Sequence, residues 1–272
     1  MKYTVLTLFP EITDAFFATS IMAKAIKRGI IGYRSINIRD FATDKHKTCD
    51  DAPYGGGPGM LMLPEPLDLA LKSVLAGCKT DEKHDSQPPT PYSPLPTPHP
   101  QRIIYLSPSG RPFNQAYARE LAAEKELILI CGRYEGIDQR IIDRYVDDEI
   151  SVGDYVLSSG EAAALAVIDA TYRLVDDVIC ADSLAEESFS DGLLEYPQFT
   201  RPEVFDTMKV PEVLLSGHHE QIRLWRLEKR VEKTLRQRPD LIQRGRGSFN
   251  KEIDSIIERL VREAEGEKNE RN

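Results

Sequence analysis

Five glycine-bearing loops hold most of the residues through which this chain could do chemistry. They are PYGGGPGM (Pro53 to Met60), LSPSG (Leu106 to Gly110), CGRYEGID (Cys131 to Asp138), SVGDYVLSSG (Ser151 to Gly160) and SGHHEQI (Ser216 to Ile222). Glycines let backbone approach a ligand closely. Three of the loops follow apolar, strand-like segments, and an open α/β sheet gathers its ligand crevice from loops at the carboxyl ends of its strands. Taken singly, each loop also reads as an ordinary turn. The nucleotide P-loop pattern is absent and no GxGxxG opens a helix, so ATP or NAD chemistry has little support. Glu135 and Asp138 read either as a paired acid and base or as the start of a helix whose positive end welcomes carboxylates. Arg173 sits late on its predicted helix, where a cation suits the dipole without any function. Glu186, Glu187 and Asp191 look like a solvated acidic run. Trp225 reads as a base-stacking residue or, more often for a lone tryptophan beside an apolar stripe, as core. Adjacent His218 and His219 do not face the same way and have no third ligand, so no metal is expected.

The elements that must position these residues follow from periodicity. Tyr3 to Phe9 reads as a buried strand, Glu11 to Arg28 as a helix stopped by Gly29, and Ser35 to Arg39 as a second strand, the rhythm of an α/β layer. Thr43 to Pro64 reads as a loop and Pro66 to Ala76 as a helix. Lys79 to Gln101 holds seven prolines among polar and acidic residues and reads as an exposed, partly disordered insert. Arg102 to Leu106 and Leu127 to Cys131 are expected as strands around a helix over Gln115 to Lys125. Glu149 to Val152 is expected as a strand and Glu161 to Leu174 as a helix. Past a polar, acidic linker the chain becomes helical and basic. On Gln221 to Arg236, Leu224, Leu227, Val231 and Leu235 form an apolar stripe, and Arg223, Arg226, Arg230 and Lys233 run parallel to it. A last helix is expected over Lys251 to Ala264.

The chain has 272 residues, 41% of them hydrophobic, enough for one large core or two modest ones. No apolar run approaches the ~20 residues needed to span a bilayer, and the first residues lack the pattern of a signal peptide. A cytoplasmic location is expected. Four scattered cysteines without a CxxC pair argue for reduced thiols. Net charge is −9, but residues 1–196 hold 19 Lys+Arg against 30 Asp+Glu, whereas residues 197–272 hold 16 against 14. Residues 223–251 carry ten basic side chains and three acidic ones, net +7. An acidic body with a basic arm is compatible with RNA binding.

The strings YGGGPGM, CGRYEGID, SVGDYVLSSGE, FTRPEVF, VPEVLLSGHH and IRLWR, in this order and spacing, resemble the bacterial tRNA (guanine-N1) methyltransferases that act at guanosine 37. The resemblance covers nearly the whole chain outside 79–101. It implies a trefoil-knotted α/β domain of the SPOUT class over 1–177, a flexible linker over 178–196, a helical tRNA-binding domain over 197–272, and a homodimer. It also implies an S-adenosyl-L-methionine pocket on three loops: Tyr105, Leu106, Ser107 and Pro108; Gly132 and Glu135; and Val152, Gly153, Asp154, Tyr155, Val156, Leu157 and Gly160. The chain departs from the family pattern at Ser159, where a second glycine is usual. The chemistry needs a base at guanine N1 and a cation near O6. Arg173 matches the family's arginine, and Glu187 stands where the family has its catalytic aspartate, with Glu186 as the neighbouring alternative. Arg223, Arg226, Arg230 and Lys233 are the expected tRNA contacts. The resemblance further implies that magnesium supports activity, through no ligand set legible in the sequence, and that each active site is shared between two subunits.

Overall fold

A computed structural model describes residues 1–76, 101–180, 184 and 187–270 of the chain. All but the last residue of the proline-rich insert, and Glu186, lie outside the described residues. The chain divides into two compact units, Met1–Ile179 and Cys180–Asn272.

The first unit is a parallel sheet between helices. In chain order its elements are β1 (Lys2–Thr7), α1 (Pro10–Phe17), α2 (Ser20–Lys27), β2 (Gly32–Asn37), β3 (Asp50–Asp51), β4 (Leu61–Met62), α3 (Pro64–Ala76), β5 (Arg102–Pro112), α4 (Gln115–Ala122), β6 (Glu126–Ile130), α5 (Gln139–Tyr145), β7 (Asp148–Ser151) and α6 (Gly160–Tyr172). Strand order is β2-β1-β6-β5-β7, every pair parallel. Because successive strand residues point to opposite faces, Tyr3, Val5, Leu127 and Leu129 enter one core with Phe17, Leu121 and Val167, while Leu6, Ile128 and Ile130 enter a second with Leu67, Leu71 and Ile141. Both faces are thus covered, as an all-parallel sheet requires.

Three local readings change. The helix expected over Glu11 to Arg28 is two helices. The chain breaks at Ala18 and Thr19, where the Thr19 hydroxyl donates to the Phe16 carbonyl at 2.9 Å and competes with the helical ladder. Asp50–Asp51 pairs with Leu61–Met62, so the PYGGGPGM loop is closed by a short antiparallel ladder. β5 runs to Pro112, and its register against β7 shifts between Leu106 and Arg111, which pushes Ser107 to Gly110 out of the ladder as a loop.

The second unit contains β8 (Val204–Phe205) paired with β9 (Met208–Lys209), then α7 (Glu212–Leu215), α8 (His219–Gln237), α9 (Pro239–Gly245) and α10 (Lys251–Glu270). Leu193, Leu227, Val231, Ile242 and Ile253 form its core. The segment 178–196 reads as a tether in sequence, yet from Glu187 onward it folds into this unit. Leu193 is fully buried, the Phe189 N–H donates to the Leu193 carbonyl at 2.8 Å, and the Leu194 N–H donates to Thr234 Oγ1 at 2.9 Å. Acidic composition hid one well-placed leucine.

Candidate active site

At the carboxyl ends of β5, β6 and β7 the loops enclose a cavity of about 280 Å³. Tyr105, Leu106, Ser107 and Pro108 supply one wall, Gly132 and Glu135 a second, and Val152, Gly153, Tyr155, Val156, Leu157 and Gly160 the third. Asp154 is exposed and does not line the cavity. Arg133, Tyr134, Gly136, Ile150, Ser151, Ser158, Ser159 and Ala163 also line the space. Sequence reading missed them, although all but Ala163 belong to the same loops or the strand that feeds them.

The loops approach other segments too closely for side chains at several glycines, two of them at the cavity's second and third walls. A Cβ on Gly160 would lie 2.8 Å from the Cys131 Cα and the Gly132 nitrogen, and the Gly160 N–H donates to the Gly132 carbonyl at 2.8 Å. A Cβ on Gly132 would lie 2.9 Å from the Tyr105 ring. Both glycines therefore let protein pack on protein at the cavity edge. Ser159 precedes α6 in extended backbone, φ −164°, that any residue adopts, and forms an antiparallel bridge with Arg133. Its departure from glycine puts no strain on the loop.

Beneath the loops lies a buried charge pair. Glu161, 1% exposed, accepts from Thr7 Oγ1 at 2.5 Å, and Arg133 Nε lies 3.3 Å from its other oxygen. The Arg133 guanidinium also covers the Phe9 ring at 4.3 Å. Through these contacts β1, the Arg133 loop and the first turn of α6 are tied together, and Glu161 gains from the positive helix end. Burial, reinforced by the Glu161 charge, pushes the Cys131 thiol well above its usual range, so it stays protonated and unreactive. Burial likewise raises the Tyr105 phenol, against the opposing hydrogen bond from the Ile137 backbone.

The two carboxylates of CGRYEGID separate in role. Asp138 caps α5, accepting from the Arg140 N–H at 2.9 Å, and its hydrogen bonds from the Arg140 side chain hold it below the usual carboxylate range. Glu135 instead lines the cavity. Arg173 is the carboxyl cap of α6 and does not line it. Glu187 belongs to the second unit, where its carbonyl accepts from the Ser190 N–H at 3.1 Å. Among the described residues no three His, Cys, Asp or Glu gather to hold a metal ion. The described residues thus gather no dedicated protein cage for the magnesium that the resemblance implies.

The basic stripe on α8 has partners within its own unit. Arg223 Nη1 donates to Glu252 at 2.9 Å and Arg223 Nη2 to Glu220 at 2.9 Å. Arg230, 7% exposed, donates to Asp191 and to the Leu194 carbonyl, and Lys233 donates to the Glu195 carbonyl at 3.1 Å. Arg226 lies 4.7 Å from the centre of the Tyr196 ring. The +7 of residues 223–251 omitted Asp191, Glu220 and Glu252, which fold onto that segment from outside it. Arg223, Arg230 and Lys233 therefore help to hold the helical unit together.

A parallel α/β unit with glycine loops walling a cavity at its strand ends, followed by a helical unit, defines a ligand-binding α/β protein with an appended helical module. Comparison with known proteins narrows this. The family described as "tRNA (Guanine-1)-methyltransferase TrmD" matches residues 1–244. A tRNA (guanine-N(1)-)-methyltransferase of Treponema denticola is 59% identical over 265 residues, 97% of this chain and all of that protein. Those of Treponema pallidum and Borreliella burgdorferi are 55% and 54% identical, covering 96% and 89% of this chain and 96% and 92% of their own lengths. The chain belongs to this family of tRNA (guanine-N1)-methyltransferases. No helix among the described residues is long and apolar enough to cross a membrane.

Proposed function

We propose that this protein transfers a methyl group from S-adenosyl-L-methionine to N1 of guanosine 37 in tRNA. The observation that carries the reading is the cavity walled by the three loops at the ends of β5, β6 and β7. Its polar peptide edges and apolar surfaces from Leu106, Ile150 and Leu157 suit a nucleoside joined to an amino acid. The ligand supplies an electrophilic methyl group on a sulfonium. In this reading Tyr105 to Pro108, Gly132, Glu135, and Val152 to Leu157 with Gly160 hold it, Asp154 contributing backbone only.

Guanine N1 keeps its proton at neutral pH, so a carboxylate must receive that proton as N1 attacks. Glu187 fills this role. It is one methylene longer than the family's aspartate and of similar basicity. Arg173 places a guanidinium against the charge that builds on O6. α6 spans 13 residues between the cavity at Gly160 and Arg173 at its far end, about 20 Å at ~1.5 Å per residue. An arginine acting at a cavity therefore comes from a second copy of the chain, which supports a homodimer with shared sites. The trefoil knot of the SPOUT class is proposed for the first unit on family membership.

Transfer of labelled methyl to tRNA transcripts tests the reading, with N1-methylguanosine identified by nucleoside analysis. Transcripts bearing guanosine at position 37 should accept label, and those with adenosine there should not. Equal labelling of both would refute the position, and label on another atom would refute the chemistry.

A further inference from the structure

The helical unit holds a cavity of about 450 Å³ that methyl transfer leaves unused. Tyr196, Phe199, Arg201, Glu203, Trp225 and Arg226 contribute to its wall. Phe199 is 47% exposed, and its ring centre lies 6.2 Å from that of Trp225 with the planes at 57°, an open corner rather than a closed stack. The Arg226 guanidinium sits over Tyr196, 4.7 Å from the ring centre. Aromatic faces and guanidinium planes are the surfaces on which unpaired bases lie. Glu203 adds an acceptor for the amino groups of a base edge, and exposed Arg201 adds a cation for a neighbouring phosphate. A peptide from a second copy would bring an apolar filler and has no need of that cationic edge.

We propose that this cavity receives one unstacked nucleobase of the tRNA, seated against Phe199 and Trp225. The proposal rests on tRNA being the substrate. It gives the helical unit a base-recognition role, carried by stacking.

Trp225 is the chain's single tryptophan, so its fluorescence reports on this cavity alone. Unmodified tRNA transcript should quench the emission of the full-length protein saturably, whereas heparin, a polyanion without bases, should leave it unchanged. Phe199→Ala removes an exposed ring. It should keep the circular dichroism spectrum and the affinity for S-adenosylhomocysteine, and weaken tRNA binding about tenfold. Protein that methylates tRNA while its emission stays constant overturns the pocket and leaves the enzyme reading intact. Emission that instead follows protein concentration without RNA, in step with self-association by sedimentation, overturns it in favour of a second copy. Protein that neither binds nor methylates tRNA overturns both readings.

Discussion

Glu187 tests the reading at the scale of one residue. An amide cannot take a proton from N1 at neutral pH, so Glu187→Gln should slow single-turnover methylation by about 100-fold or more. Affinity for S-adenosylhomocysteine should stay within about twofold, because the cofactor reading places no contact on Glu187. A full rate in Glu187→Gln together with a slow Glu186→Gln would move the base by one position. Gly132, by contrast, makes a poor probe of the ligand. A Cβ there meets the Tyr105 ring at 2.9 Å, so a branched residue disturbs the core as well as the cavity. Leu157, 39% exposed on the cavity wall, is the cleaner site for a blocking side chain. Sequence spacing made the glycines visible as a class, but which partner each one accommodates, loop or ligand, is set by contacts between distant segments.

Among the elements, the edge of β6 shows how the sheet is held. Glu126, 6% exposed, accepts from Thr4 Oγ1 at 2.7 Å and Gln101 Nε2 at 3.1 Å, and pairs with Lys2 at 3.0 Å. Burial pushes this carboxyl up, but the hydrogen bonds and charges of Thr4, Lys2 and Arg34 outweigh it and hold it below its usual value. A depressed folded pKa means that the stabilisation is complete above the unfolded value of about 4.3 and is lost as pH falls through the folded one. Glu126→Gln should therefore lower stability at pH 7 by about 2 kcal/mol. The gap from wild type should close in thermal unfolding below about pH 4, and a gap of constant size from pH 7 to pH 3 would contradict the assignment. Glu126 lies one residue before the apolar run that marked this strand in sequence, since period and hydrophobicity reveal strands but not the charged caps at their ends. The same rules gave β1, β6, β7, α6 and α8 to within a few residues. They missed α5 and α9, whose seven residues are too short for a helical period to show. The fate of the α8 cations was equally hidden, because Asp191 and Glu252 reach them only through the fold.

For the whole molecule, the proposed catalytic charges come from two different parts of the chain. Arg173 closes the far end of α6, and Glu187 belongs to the second unit. Two copies related by a twofold axis would each lend these groups to the other. The most direct test mixes two inactive proteins: one blocked at the cavity by Leu157→Trp, the other lacking the base through Glu187→Gln. If sites are shared, every heterodimer pairs one intact cavity with one intact Glu187, so an equal and fully exchanged mixture should recover roughly a quarter of wild-type tRNA methylation. Mixtures that exchange subunits yet stay as inactive as their parents would contradict the shared site.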